Sequence, residues 1–245
     1  MRKLLELINI NVKDQNKYRL KHIKLELFSG EKVAVLGKSG SGKSTLIAVA
    51  NGSIDPTNGV VKFKGEDLKL LPRERKIEIG TLWQDLRLIE ELSVAQNINS
   101  GALGRHNLLW ALRNLIGSID MKACHTCIEA ANLEQNLIHS QVMRLSGGQR
   151  QRVAIARLLR QQAEIILVDE PLSNLDPNMS RKILNILLKQ TTVDCLHIAD
   201  TCLVSLHRPE LIDNFTRVIG IKKGQIVLDS PRESLEAKDL NWLYN

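Results

Sequence analysis

The fold is decided by the stretch Gly37-Lys38-Ser39-Gly40-Ser41-Gly42-Lys43-Ser44, which fits the pattern G-x-x-x-x-G-K-[ST] in full. The apolar run 32–36 before it predicts a short buried strand, and the apolar spacing of residues 46–50 after it predicts a helix. In a strand, glycine loop and helix arranged in this order, backbone N–H groups converge on a phosphate at the start of the helix. The stretch therefore predicts a nucleotide-phosphate site in an α/β fold.

The side chains of this loop have separate expected roles. Lys43 is expected to reach the β- and γ-phosphate oxygens, and Ser44 is expected to bind Mg²⁺. Thr45 follows them in the predicted helix and is counted with the nucleotide-binding residues. The alternative is a glycine-rich turn whose spacing arose by chance, and the flanking strand and helix argue against it.

A second candidate site follows the apolar run 165–168, which ends in Asp169 and Glu170. Ligands of open α/β sheets bind at the carboxyl ends of the strands, so these carboxylates are placed to meet a nucleotide. Asp169 is expected to hold Mg²⁺ as the acidic partner of Ser44. Neighbouring strand side chains point in opposite directions, so Glu170 is expected instead to polarise the attacking water. Without the phosphate loop, such a pair would indicate only a solvated turn.

A third segment, Leu145-Ser146-Gly147-Gly148-Gln149, precedes a predicted helix that is rich in arginine. Two glycines, a serine hydroxyl and a helix N-terminus form a second anion-binding arrangement. The alternative is an N-cap followed by a solvated basic face. The arginines concerned are Arg150, Arg152, Arg157 and Arg160.

Composition restricts the class of protein. The chain has 245 residues, 43% of them hydrophobic and 25% charged, as in globular proteins. Its apolar runs are far shorter than the roughly 20 residues of a membrane-spanning helix, and its N-terminus lacks a secretory signal pattern, so we expect a cytosolic chain. The net charge of +7 suits nucleic acid, an anionic membrane surface or a phosphorylated ligand. Aromatic residues are not interleaved with the basic ones, so single-stranded nucleic acid is not the expected partner.

Hydrophobic periodicity outlines the rest of the chain. Alternating patterns predict strands near residues 5–12 and 23–27, and residues 217–229 resemble a hairpin. Strand signals are missing between about 93 and 163, where helical patterns predict an insertion. Cys124 and Cys127 form one C-x-x-C without a second spaced pair, so reduced and mostly packed thiols are expected rather than a metal or redox site.

The three motifs in this order resemble the ATP-binding subunit of an ABC transporter over nearly the whole chain. The resemblance implies a single domain, 1–245, with an α/β P-loop NTPase (RecA-like) core, a mostly parallel sheet and an N-terminal antiparallel β subdomain. The core would comprise residues 1–86 and 158–245. An inserted helical subdomain would comprise residues 87–157 and carry the signature segment.

The resemblance also assigns residues outside the three motifs. Gln84 matches the Q-loop, which senses the γ-phosphate and Mg²⁺ and contacts the membrane partner, and Asp176 ends the D-loop 173–176. His207 matches the switch histidine that contacts the γ-phosphate, with His197 as the competing candidate. Two copies would pair head to tail, so that each ATP also meets the partner copy's signature segment. That segment contributes Ser146, Gly147, Gly148 and Gln149.

Two departures from the family pattern concern adenine and the second half of the chain. Family members stack adenine on an aromatic residue before the glycine loop, whereas Lys13 and Asp14 occupy that neighbourhood here. Tyr18 is the only nearby aromatic residue and is the candidate. The chain also looks a few residues longer than is usual around 191–200.

A narrower resemblance, to the ATPase subunits of phosphonate importers, is carried by residues 96–105 with Trp110, by residues 219–222 and by the ending Trp242-Leu243-Tyr244. It implies ATP and Mg²⁺ as cofactors, and integral membrane permease subunits and an extracytoplasmic substrate-binding protein as partners. The chain would act as a peripheral protein on the cytoplasmic face of the membrane, with no nucleic acid partner. Lipoprotein extrusion, cell division and cofactor assembly remain the alternative functions.

Overall fold

The structure is a computed structural model that describes residues 2–15, 17–117, 119–172, 177–188, 199–236 and 240–244. Internal contacts divide the chain into two compact units. The first comprises residues 1–72, 165–171 and 200–245, and the second comprises residues 73–164 and 172–199. The sequence-based division at 87–157 stays a prediction. None of the helices in the described ranges has the length and apolar character that crossing a bilayer demands.

The strands and helices have the following bounds. The strands are β1 (Lys3–Asp14), β2 (Lys17–Phe28), β3 (Lys32–Leu36), β4 (Asn58–Phe63), β5 (Glu66–Asp67), β6 (Ile79–Leu82), β7 (Ile165–Val168), β8 (Thr201–Leu206), β9 (Arg217–Lys222) and β10 (Gln225–Pro231). The α-helices are α1 (Lys43–Ala50), α2 (Arg73–Lys76), α3 (Val94–Ser100), α4 (Leu108–Leu115), α5 (Met121–Ala130), α6 (Gly147–Gln161) and α7 (Pro177–Leu187).

An antiparallel sheet in the first unit has the strand order β2-β1-β4-β5. The alternation predicted in β2 is confirmed, because Ile23, Leu25 and Leu27 are buried while the residues between them are exposed. Period-2 burial of this kind is typical of an antiparallel sheet with one face in the core. The predicted N-terminal β layer is therefore present.

The second sheet of the first unit carries the phosphate loop. Its strands in this unit are ordered β10-β9-β3-β8-β7; β3 runs parallel to β8 and β9, and β7 runs parallel to β8. All residues of β7 and β8 are buried, as expected for parallel strands covered on both faces. Because parallel strands end at the same edge, the segments after β3, β7 and β8 meet there.

The second unit is mainly helical, and helix α6 packs against α3 and α5. Among the described residues between 83 and 164, extended pairing is limited to one bridge, between Ser93 and Gln141. The predicted loss of strand character in this part of the chain is confirmed. The core here is aliphatic and contains Val153, Ile155 and Ile128.

Candidate nucleotide site

The phosphate loop joins the end of β3 to the start of α1, as the motif predicts. Gly42 is the N-cap of α1 and has a left-handed backbone with φ of 115°. Gly37 lies so close to β9 that a Cβ atom there would stand 2.3 Å from the carbonyl oxygen of Ile221. Only glycine satisfies both positions without displacing the backbone. The loop is therefore held tightly against its own sheet.

Lys43 is the first residue of α1 and is 4% exposed. Its Nζ donates to the carbonyl oxygens of Gly37 at 2.9 Å and Lys38 at 3.2 Å. Within the described part of the chain, the buried Ser41 Oγ has no hydrogen-bond partner. A buried hydroxyl left in this way and an ammonium beside a helix N-terminus are the donors that a bound phosphate requires. The loop therefore fits the phosphates of a nucleotide.

Asp169 follows β7 and faces the start of α1. Its Oδ1 accepts hydrogen bonds from Ser44 Oγ at 3.1 Å and from Ser205 Oγ at 2.9 Å. Burial raises the pKa of this carboxyl above its ordinary value, and the two serine hydrogen bonds oppose that rise. A carboxylate and a hydroxyl within hydrogen-bond distance are oxygen ligands of the kind that Mg²⁺ prefers. The donor set at Ser44 and Asp169 therefore fits Mg²⁺.

Glu170 adopts a left-handed backbone with φ of 48°, and its N–H donates to Ser205 Oγ at 2.9 Å. One carboxylate oxygen lies 2.6 Å from Nε2 of His207, and the other lies 3.4 Å from Nζ of Lys43. The carboxylates of Asp169 and Glu170 thus have different partners. The separate roles expected of them stay a prediction. Lys43, Glu170 and His207, which come from three separate segments of the sequence, form one polar cluster.

Ser205 forms hydrogen bonds with Asp169 and with the backbone of Glu170, and it was not predicted from the sequence. It is a hydroxyl inside the apolar strand β8, two residues before His207. A polar residue in a strand that otherwise reads as continuous core is the signal that could have indicated it.

The signature segment lies in the second unit and begins α6. Ser146 is the N-cap, and it forms a reciprocal capping box with Gln149. Gly147 has open space where a Cβ would stand, so the first turn of the helix is accessible. This arrangement leaves the N-terminus of α6 free to meet an anion.

The arginines of α6 do not form a solvated basic face, so that alternative reading is wrong. Arg150 donates to the carbonyl oxygens of Leu145 and Met143, and Arg152 donates to that of Asn132. Guanidinium groups with several donors can satisfy backbone carbonyls in this way because each N–H points in a fixed direction. These arginines therefore fix the loops around the helix.

The remaining predicted residues have varied surroundings. Gln84 is exposed in the loop after β6. Tyr18 is 41% exposed on β2, and the ammonium groups of Lys13 and Lys21 lie 4.7 and 5.9 Å from its ring centre. Asp176, the rest of the 173–176 segment, His197 and most of the 191–200 stretch lie outside the described residues.

The C-x-x-C pair has the surroundings of packed thiols. Cys124 and Cys127 are buried on α5, and burial raises their pKa values to about 12 and about 11. Among the residues that the structure describes, no group of three or more His, Cys, Asp or Glu side chains is arranged to hold a metal ion. Cys195 lies outside these residues.

The glycine loop between a strand and a helix, with carboxylates at the end of a nearby parallel strand, defines a phosphate-loop nucleoside triphosphatase. The segment from Ser146 to Gln149, with two glycines at the start of α6, is a second feature that restricts the chain to one family within this class. The sequence model of the family described as ABC transporter matches residues 20–173. The chain belongs to the ABC transporter family.

Individual relatives agree with this assignment. The phosphonates import ATP-binding protein PhnC of Wolinella succinogenes is 35% identical over 230 residues, which cover 92% of this chain and 82% of that protein. The protein of the same name from Lactobacillus delbrueckii subsp. bulgaricus is 34% identical and covers 99% and 95%, respectively. A dimeric ATP-binding cassette solved with ADP and Pi in a post-hydrolysis state superposes with a TM-score of 0.78 at 28% identity, over 93% of this chain and 98% of that one. The predicted family and fold class are confirmed.

Proposed function

We propose that the chain is the ATP-binding and ATP-hydrolysing subunit of an importer that takes up phosphonate or a related phosphorus oxyanion through a separate permease. The observation that carries the ATPase assignment is the cluster of Lys43, Glu170 and His207 at the ends of parallel strands. The choice of cargo is supported by relatives that are named for phosphonate import.

Nucleotide binding is assigned to the loop Gly37 to Thr45. In the proposed arrangement, Lys43 exchanges its carbonyl partners for the β- and γ-phosphate oxygens. Ser44, Asp169 and Gln84 would hold Mg²⁺, which neutralises charge on the phosphates when bound. Tyr18 is the candidate for adenine contact. The ammonium groups of Lys13 and Lys21 lie over its ring. To stack on Tyr18, an adenine ring would have to displace one of these ammonium groups from the tyrosine ring.

Hydrolysis is assigned to Glu170 with His207. The Glu170 carboxylate accepts a proton as water attacks the γ-phosphorus and the bond to ADP breaks. His207 lies 2.6 Å from that carboxylate and is 42% exposed, which supports its proposed roles in orienting the carboxylate and contacting the γ-phosphate. Lys43, at 3.4 Å, balances the charge of Glu170 before the nucleotide enters.

The partners are a second copy of this chain and membrane proteins. In a head-to-tail pair, Ser146, Gly147, Gly148 and Gln149 of each copy would meet the nucleotide of the other, together with Asp176. The free N-terminus of α6 supports this assignment because it offers N–H groups to an anion.

A surface on α4 is suited to the permease. Leu108 and Leu112 of this helix and Ile116, which directly follows it, are exposed, and no acidic residue occurs between 101 and 119. A group of large exposed apolar side chains marks an interaction site.

In the proposed importer the chain is peripheral at the cytoplasmic face of the membrane, and an extracytoplasmic binding protein delivers the cargo.

The test is purification of the chain with its permease from native membranes, followed by reconstitution with the substrate-binding protein. We expect methylphosphonate to raise ATP hydrolysis several-fold over the rate without cargo, whereas the Lys43→Ala complex stays inactive. Phosphite and phosphate are assayed alongside to define the preferred oxyanion. Co-purification of a lipoprotein-extrusion or cell-division permease instead would contradict the importer assignment.

A further inference from the structure

Ser205 lies in the middle of the sheet, on a strand with neighbours on both sides. It pairs with Val35 of β3, while on the other side of β8 the residue before it, Val204, pairs with Val168 of β7. Its side chain is 0% exposed. A hydroxyl in such a core is stable only when its hydrogen-bonding groups are satisfied.

Both of its partners belong to the acidic pair at the end of β7. The Ser205 Oγ donates to Asp169 Oδ1 at 2.9 Å and accepts from the Glu170 N–H at 2.9 Å. A serine hydroxyl has one proton and two lone pairs, so it can form both hydrogen bonds at once. One side chain therefore contacts the carboxylate of the first acidic residue and the backbone of the second.

The backbone of Glu170 needs such support. Its φ of 48° is left-handed, a conformation that is unfavourable for a residue with a side chain unless its surroundings fix it. The hydrogen bond from its N–H to Ser205 fixes the peptide, and the carboxylate is then directed to His207 and Lys43.

We propose that Ser205 is a positioning residue, which holds the Asp169 carboxylate and the Glu170 backbone in the arrangement used for Mg²⁺ binding and ATP hydrolysis. This inference rests on the proposed function for the roles of the two acidic residues. It adds a residue to the proposed site that acts only through Asp169 and Glu170. Ser205 itself contacts neither the attacking water nor the nucleotide.

The same strand provides a matched control. Thr201, at the other end of β8, is 1% exposed, and its Oγ1 accepts the Gly30 N–H at 2.9 Å. Thr201→Val and Ser205→Ala each remove one buried hydroxyl that accepts a hydrogen bond from a backbone N–H. Only the second change removes a contact with Asp169.

The experiment compares wild type, Ser205→Ala and Thr201→Val by thermal melting, by equilibrium binding of ATP with and without Mg²⁺, and by steady-state hydrolysis. For Ser205→Ala we expect ATP binding in EDTA to match the control. We expect the gain in ATP affinity on adding Mg²⁺ to fall by about tenfold, as for the loss of a hydrogen bond to a charged group. The kcat should fall by at least as much while KM changes little.

The outcomes separate the two proposals. If Ser205→Ala hydrolyses ATP and responds to Mg²⁺ as Thr201→Val does, Ser205 has only a structural role and the positioning proposal is overturned. If the wild-type chain neither binds nor hydrolyses ATP, the proposed function fails instead. Should Ser205→Ala not fold, Ser205→Cys keeps the volume with a weaker hydrogen bond, and the same Mg²⁺ and kcat losses are expected of it.

Discussion

Gly224 shows how a single residue far from the motif can support the phosphate loop. It lies in the turn between β9 and β10, where its N–H donates to the Ser41 carbonyl and its own carbonyl accepts the Lys21 N–H, both at 2.8 Å. Strand β2 is thus connected to the loop through one residue. The φ of Gly224 is +76°, and a Cβ there would stand 2.5 Å from the carbonyl oxygen of Arg19.

We predict that Gly224→Ala weakens ATP binding by about fivefold to tenfold, because the turn must move away from β2 and its hydrogen bond to the loop is lost. The matched control is Gly65→Ala. Gly65 has a φ of +84°, and a Cβ there would have no atom within 4 Å, so this change imposes similar backbone strain without a clash. Urea unfolding measures the loss of stability caused by backbone strain, and equilibrium ATP binding measures the loss of ATP affinity. Equal ATP affinities in the two variants would refute this role.

Residues that belong to a motif could be predicted from the sequence, and residues that support the motif from a distance could not. The role expected of Lys43 came from the spacing of the glycine loop, and that of Asp169 came from the apolar run that it follows. Ser205 and Gly224 contact the site across long sequence separations. A polar residue in an apolar strand is a local signal for Ser205, but the partners of both residues depend on how the strands pair. The backbone of Glu170 was also not foreseen, because left-handed conformations of residues other than glycine have little sequence signal.

The loop that contains Gln84 is attached to the signature helix by one side chain. Leu86 and Arg87 have consecutive left-handed backbones, with φ of 58° and 48°. Arg157 of α6 donates from its two terminal nitrogens to both of their carbonyl oxygens, each at 2.5 Å. The planar guanidinium presents a separate terminal nitrogen to each carbonyl, whereas a lysine at this position has one nitrogen on a shorter side chain.

We predict that Arg157→Lys destabilises the second unit by about 1–3 kcal/mol and exposes the loop, because one of the two carbonyls loses its donor. Trypsin cleavage after Arg87, followed by mass spectrometry, measures the exposure. Arg152→Lys is the control, since Arg152 donates to Asn132 rather than to this loop. Cleavage after Arg87 at the same rate in both variants would show that Arg157 does not hold the loop.

Elements as a whole were more predictable than their connections. Hydrophobic patterns located the strands β1 to β3 and the helices α1 and α6. Alternating burial marks β2, whereas β3 and α1 are buried along almost their whole length. Periodicity gave no information on the loop after β6. It also made the arginines of α6 look solvent-facing, because charged residues on a helix usually are. In the structure they bind carbonyl groups of neighbouring loops, which depends on tertiary packing.

At the scale of the whole molecule, we propose that two copies of the chain enclose ATP. In this proposal each copy would contribute a phosphate loop from its first unit and a signature helix from its second, and either part alone would leave the anion site incomplete. Binding of ATP should therefore bring about dimer formation, and hydrolysis should end it. A variant that binds ATP but cannot hydrolyse it should remain dimeric.

The measurement that tests this claim most directly is sedimentation velocity of Glu170→Gln with Mg-ATP, with Mg-ADP and without nucleotide, alongside its rate of phosphate release. We predict a dimer only with Mg-ATP, and hydrolysis slower than wild type by about 10²- to 10⁴-fold, the usual contribution of a general base. Lys43→Ala should remain monomeric under all three conditions. A Glu170→Gln protein that stays monomeric with Mg-ATP, or that releases phosphate at the wild-type rate, would contradict the account.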